Sequence, residues 1–384
     1  IIANSRVPKA IIGDLNAQLN GVEAGANELK RIVKKFGYEL FYTSVLEIYD
    51  HGEKLVRKSL SKIPNGLYSG YGQMDNNGVD EGLVKFKISI EVKDSDLILD
   101  FTEVPDQQNG PINSPLPSTV SKARVAFAMM AGGGQQPNEG FFRPLEIRTR
   151  KGSMFNPVSP APCFLNGWPG LQVIELIYKV LSEKLPEAFP ASSGGCLASA
   201  VWWGKREKDG EPWADGAPHP VGQGGFSGGD GITSMHHNSA GTRISPIEIW
   251  ESRNPWLVNK IELAQDSCGA GEFRGGLGLD IEFEMLEETF ITTVVERTKF
   301  PPWGINGGKE ARANNVILIK NNGEKDNIPK KTGYKLNKGD KITFVTGGGG
   351  GYGDPQKRKK SSIKNDLKQE YLSKGYVRKH YNFL

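Results

Sequence analysis

Forty-eight of the 384 residues are glycine, and they are gathered rather than spread. An ordinary share is ~7%. They cluster at 132–134, 194–195, 222–231, 269–278 and 347–353, with five in a row over 347–351. No internal repeat spaces them. Such clusters suit ordered, sharply turning loops between elements, not a flexible linker. The chain must therefore fold around loops whose backbone goes where side chains would not fit.

Between these loops the apolar pattern is regular. Residues 8–36 read as a helix, with Pro8 suited to its first turn and Ile11, Leu15, Leu19, Val22, Leu29 and Val33 at helical spacing. Gly37 is placed to stop it. Residues 38–61 read as a second helix, and the two predict an antiparallel hairpin. Val84, Phe86, Ile88, Ile90 and Val92 alternate as in a half-buried strand, and 93–96 turns into a second strand over 97–101. Helices are predicted at 117–131 and 171–184. Strands are predicted at 197–203, 257–264, 279–286, 289–296, 314–320 and 341–346. The class is α+β: a helical hairpin and mixed region (1–195), a β-rich part with Gly-rich loops (196–355), and a helical tail (356–384).

The net charge is +4, but residues 356–384 hold nine Lys/Arg against two Asp/Glu, so the remaining chain carries −3. Ile363, Leu367, Tyr371, Leu372 and Tyr376 recur in that tail at roughly helical spacing. A short amphipathic helix docked on protein suits it better than nucleic-acid binding. No apolar run reaches the ~18 residues of a membrane span, and no signal peptide is visible. Cys163, Cys196 and Cys268 lie far apart, with no CxxC pair, which points to a reducing compartment, the cytoplasm.

Chemistry concentrates in three places. The first is GQGGFSGGDG at 222–231 followed by MHHNSAGTR at 235–243. Gly224 and Gly225 could bring backbone N–H groups near an anion, beside Asp230, His236, Asn238 and Arg243. Neighbouring His236 and His237 would face opposite ways on a strand. A solvated glycine-rich loop explains the same residues equally well. The second is DSCGAGEFRGGLG at 266–278, where Arg274 either clamps an anion or, the better reading, pairs with an acid in a structural turn. The third, 347–355, has no GK[ST] and opens no helix, so it is not a P-loop; packing or a partner contact suits it. No nucleotide-binding motif appears, so ATP, if used, is bound by another chain.

Taken in order, several segments resemble the hydantoinase B/oxoprolinase family. They are RVPKAIIGDLNAQ at 6–18, DFT at 100–102, GPINSP at 110–115, NEGFFRPLE at 138–146, and Pro246, Glu248, Glu251 and Pro255. RGGLG at 274–278, RTKFPPWG at 297–304, the 347–355 loop and the tail through Tyr381 complete the series. The resemblance covers essentially the whole chain but not the family's N-terminal part, which holds metal-binding His and Asp residues. That part is expected to be a separate polypeptide or an additional segment. A divalent metal (Zn or Mn) therefore belongs to the family's chemistry without ligands assigned in this chain.

The resemblance implies a hetero-oligomer. A hydantoinase A-type subunit with an actin-like ATPase fold phosphorylates the substrate's carbonyl oxygen, and the B-type subunit completes the reaction. In hydantoinases and 5-oxoprolinases water opens the activated cyclic amide. In acetone and acetophenone carboxylases an enol phosphate meets activated bicarbonate. Amide hydrolysis is the leading expectation. A carboxylase subunit and a structural subunit are the alternatives. The residues expected to act are His236, Asn238, Asp230 and Arg243, with Arg274, Gly224 and Gly225 binding an anion. His236 falls where the family most often has His.

Overall fold

The computed structural model describes residues 1–5, 8–165, 167–237 and 241–383. It opens with two helices in the expected ranges, α1 (Pro8–Phe36) and α2 (Tyr38–Leu60). They do not form the expected side-by-side hairpin. Gly37 alone joins them, whereas helices packed lengthwise need about two to five linking residues. No described residue of α1 is buried, and α2 enters a core only from Gly52, through Val56 and Leu60.

Next come β1 (Gly66–Met74), β2 (Val84–Lys93) and β3 (Asp96–Phe101), an antiparallel meander. The chain crosses over through α3 (Leu116–Ala131) to β4 (Leu145–Thr149), which runs parallel to β3. The helix α4 (Gly167–Ser182) packs over β1 and starts earlier than predicted, with Pro169 in its first turn. β1 was not legible because its glycines read as turns. They serve close approach instead. A Cβ on Gly70 would lie 2.4 Å from Val180 Cγ2, a side chain of α4, and one on Gly72 would lie 2.4 Å from Phe86 Cζ.

The second half holds β5 (Ser199–Lys205), β6 (Pro212–Ala217), α5 (Ile247–Arg253), β7 (Trp256–Leu263), β8 (Leu279–Met285), β9 (Thr289–Val294), β10 (Asn315–Ile319), β11 (Lys325–Asn327), β12 (Lys330–Leu336) and β13 (Lys341–Val345). They form two antiparallel sheets, ordered β12-β9-β5-β6 and β11-β10-β13-β8-β7. The apolar faces meet around Trp202, whose ring centroid lies 5.0 Å from Trp256, 5.4 Å from Phe283 and 5.9 Å from Phe344. Strict alternation along β8 and β13 gives each strand one buried face. The strands not predicted here, β6, β11 and β12, all lie at sheet edges. β11 and β12 are rich in charge, as edges exposed to solvent usually are.

The glycine clusters converge on one another. Residues 347–351 run through a sleeve made of other backbone. Gly349 N–H donates to Gly276 O (2.9 Å), Gly350 N–H to Ser192 O (2.8 Å) and Gly351 N–H to Lys309 O (2.9 Å). In return Gly347, Gly349 and Gly350 carbonyls accept from the amides of Gly222, Gly269 and Gly225. A Cβ on Gly349 would stand 1.8 Å from Gln223 O, and one on Gly275 would stand 1.7 Å from Gly349 O. The run thus packs within its own chain. Its buried peptide groups are satisfied by other glycine loops.

The tail folds as two short helices rather than one, α6 (Lys360–Lys368) and α7 (Lys374–His380). Ile363, Leu372, Val377 and Tyr381 bury against Cys268, Ala270 and Leu277. No described helix is long and apolar enough to cross a membrane.

The sleeve leaves no room for a methyl group. Gly349→Ala is expected to cost about 3 kcal/mol or more. Gly21→Ala, where nothing lies within 4 Å on α1, should be neutral or stabilising by up to about 1 kcal/mol. Urea unfolding of both variants checks the contrast.

Candidate functional site

The predicted site residues separate. Asp230 accepts from Arg358 Nη1 (2.7 Å) and Nη2 (2.8 Å) and from the Arg274 backbone N–H (2.9 Å). Asp366 accepts from Arg274 Nε (3.0 Å) and Arg358 Nη2 (2.7 Å). The Arg274 guanidinium also lies 5.2 Å from the Tyr371 ring centroid. Two arginines and two aspartates therefore neutralise one another. They tie the 222–231 and 269–278 loops to the tail. Asp230, expected to be catalytic, is held in this closed network, and Arg274 pairs with an acid in a structural turn, the better of its two expected readings.

The two glycines expected to bind an anion differ in what engages them. The Gly225 amide is engaged by Gly350 O (2.9 Å), so it offers no donor to an anion. A Cβ on Gly224 would stand 1.9 Å from Ala191 O, so only glycine fits there, and the residue lines a largely apolar recess with Phe226 and Met235. Asn238 lies outside the described residues.

His236 and Arg243 do come together. With Ser234 and Thr242 they line an open recess of about 360 Å³. Arg243 is exposed. His236 is buried, and burial, opposed by a backbone contact with His219, lowers its proton affinity below the ordinary range. His219, beneath it, packs 4.3 Å from the Phe344 ring. Burial, with His236 adding, pushes His219 down to about 3, so it stays neutral.

His237 turns the other way, into a buried polar seam absent from the sequence reading. Its Nε2 lies 3.5 Å from Glu175 Oε1. The same oxygen accepts from Ser193 Oγ (2.8 Å), and Arg297 Nη2 stands 3.9 Å from Glu175 Oε2. Arg297 Nε donates to Gln172 Oε1 (2.8 Å) and its Nη1 to Ser192 Oγ (3.1 Å). Burial pushes the Glu175 carboxyl up, but the His237 contact, the Arg297 charge and the Ser193 hydroxyl outweigh it and hold it below the usual carboxylate range.

The seam reaches two further recesses. One, of about 180 Å³, is lined by Tyr71, Asp75, Gln172, Lys179, Arg297 and Trp303. The other, about 310 Å³ and largely apolar, has Tyr178, Phe189, Phe226 and Met235 in its walls and Ser193 among its polar residues. Behind the first recess, Glu296 pairs with Lys330 and accepts the Asp75 backbone N–H (2.9 Å). Burial raises the Glu296 carboxyl to about 7, against the pull of Lys330. Asp75 itself accepts from Thr298 N–H (2.9 Å) and Oγ1 (2.8 Å), which orients its carboxylate. An oriented carboxylate in a cleft, with the raised Glu296 carboxyl behind it, marks a functional candidate.

A sequence signal for this seam existed. Gln172, Glu175 and Lys179 are polar positions in the otherwise apolar α4, at i, i+3 and i+7, hence on one face. The 297–304 motif carried the resemblance but suggested no role for its arginine. Among the described residues no three His, Cys, Asp or Glu side chains converge as a donor set for a divalent metal.

Residues 1–355 match the family model for hydantoinase B/oxoprolinase. The chain belongs to the hydantoinase B/oxoprolinase family. A relative from Pseudomonas sp. (strain NS671), provisionally named as the B-type subunit of a D-/L-hydantoinase, is 28% identical over 97% of this chain. The chain spans 64% of that relative's length. The family fold is confirmed by the crystal structure of the ATP-dependent caprolactamase from Pseudomonas jessenii, with TM-score 0.84 and 24% identity over 98% of this chain and 66% of that one. A nucleotide-free acetone carboxylase shares the fold with TM-score 0.79 and 17% identity, over 92% of this chain and 54% of that one.

His219 gives this hydantoinase B-type chain an acid sensitivity. Its folded proton affinity lies below the unfolded value of ~6.5, so stability is full above that pH and drains as pH falls toward about 3. His219→Leu should remove the loss. At pH 5 the variant is expected to gain about 2 kcal/mol relative to wild type, compared with their difference at pH 7.5. Urea midpoints at the two pH values decide, and an unchanged pH dependence rejects the assignment. The same assay separates structural from surface residues. Asp230→Ala should cost about 2 kcal/mol by leaving Arg358 under-compensated. Arg243→Ala should stay within about 0.5 kcal/mol.

Proposed function

We propose that this chain is a B-type component of an ATP-dependent enzyme that hydrolyses a cyclic amide. The observation that carries the reading is the family match over residues 1–355, together with a relative named for hydantoinase activity. The caprolactamase likeness is consistent with it. Hydantoins and caprolactam share an amide closed in a ring. Such an amide resists water, because its carbonyl carbon is a poor electrophile. Phosphorylation at oxygen makes it reactive, and phosphate leaves after water adds. This chain carries no phosphate-cradling motif, so a hydantoinase A-type partner holds the ATP and performs that activation.

The recess beside Asp75 and Arg297 is assigned to the activated ring. Trp303, Tyr71 and Leu176 offer it apolar walls, and Arg297 and Lys179 offer cations to phosphoryl oxygens. Asp75, oriented by Thr298, is placed to take the proton from water. Glu175 and His237 keep Arg297 and Ser193 in position behind this wall.

The test is ATP turnover by the purified complex. One series adds 5-oxoproline, hydantoins and lactams; another adds ketones with and without bicarbonate. Stimulation by a cyclic amide without bicarbonate supports the hydrolase. Stimulation that requires a ketone and bicarbonate replaces it with a carboxylase. In the hydrolase, Asp75→Asn should lower kcat about 100-fold with little change in KM. Unchanged turnover would reduce this recess to scaffold.

A further inference from the structure

Helix α1 is 29 residues long, ~43 Å, and none of its described residues is buried. Ile12, Leu19, Val22, Leu29 and Phe36 are exposed by 43%, 69%, 74%, 54% and 51%. Their spacing is not that of a loosely amphipathic helix. Ile12, Leu15, Leu19, Val22, Ala26, Leu29, Val33 and Phe36 alternate steps of three and four without a break. That is a 3.5-residue repeat, the seam of a coiled coil, with Ile12, Leu19, Ala26 and Val33 at a and Leu15, Val22, Leu29 and Phe36 at d. The opposite face is polar or small and includes the Glu28–Arg31 ion pair. A seam of this length wants a helical partner. Gly37 denies it α2, because one linking residue cannot fold α2 back alongside.

We propose that α1 pairs antiparallel with α1 of a second copy of this chain. The charge pattern selects the partner and its direction. The e positions carry Glu23 and Lys30. In an antiparallel pair, an a residue of one helix meets a d residue of the other. Placing Ala26 against Leu29 of the second copy also sets Leu19 on Phe36 and Val22 on Val33. The two-fold axis repeats each layer. In this register e faces e, so Glu23 meets Lys30 of the other copy twice over. A parallel pair would set Glu23 near Gln18 and Lys30 near Gly25, with no charge matched. Small Ala26 opposite larger Leu29 also lets the helices approach at the centre. The pairing joins two B-type chains through helices remote from the buried polar seam.

The measurement is light scattering after size exclusion on the full chain at low salt, over a concentration series. Wild type is expected to shift from monomer to dimer. Leu29→Glu should abolish the dimer while leaving the thermal midpoint of the fold intact, since no described residue of α1 enters a core. Glu23→Lys and Lys30→Glu should each weaken dimerisation about tenfold, by turning two attractive contacts into repulsions. The double exchange should restore it, and a mixture of the two single variants should pair preferentially with each other. A chain that stays monomeric at all concentrations overturns the proposal, and so does a dimer indifferent to Leu29→Glu. Single charge variants that the double exchange fails to rescue overturn the antiparallel register.

Discussion

Backbone packed against backbone is the constraint on which the rest of this structure depends. Five glycines over 347–351 run inside a sleeve formed by residues near 192, 222–225, 269–276 and 305–309. A side chain at any of 348–351 would meet a carbonyl oxygen at 1.8 to 2.1 Å, far inside van der Waals contact. The sleeve ties β13, on one sheet, to the loops that lead out of β9 and α4. It also supplies the surface on which the tail docks. Its cohesion comes from satisfied peptide hydrogen bonds and close contact, and both require glycine.

Helix α4 divides its surface between two duties. Most of it is apolar and buried, as expected of a helix inside a core. One stripe is polar, and it faces Arg297, Ser192, Ser193 and His237. An ionised carboxylate in such a place is costly unless partners surround it. Glu175 has three: a cation, a hydroxyl and an imidazole. Because these partners come from the 192–193 loop, the 235–237 stretch and the turn after β9, the seam holds together segments far apart in the chain. The same arrangement fixes the walls of two recesses. Structural and functional roles coincide in these residues.

The charge network around Asp230 differs in kind. It closes on itself, Arg358 and Arg274 against Asp230 and Asp366, and leaves no charge directed at a cavity. Its product is attachment of α6 and α7. Hence the basic tail, with one arginine turned inward, belongs to the fold rather than to a mobile extension.

Much of the fold was legible from the chain alone. Period determined the long elements: α1, α2, α3, β2, β3, β8, β10 and β13 lie where apolar spacing puts them. The membership of the family was legible too, in motifs whose order is more specific than any one of them. Tertiary structure decided what glycine and charge were for. A glycine reads as a turn in sequence, but at Gly70 and Gly349 it makes space for a neighbour contributed by a distant segment. An aspartate in a glycine loop reads as chemistry, but Asp230 meets arginines 44 and 128 positions away. Glu175 reads as one polar position in an apolar helix, yet it gathers the buried seam. Spacing along a chain reports which side a residue faces. It does not report what waits there, because that depends on contacts closed only when remote segments meet.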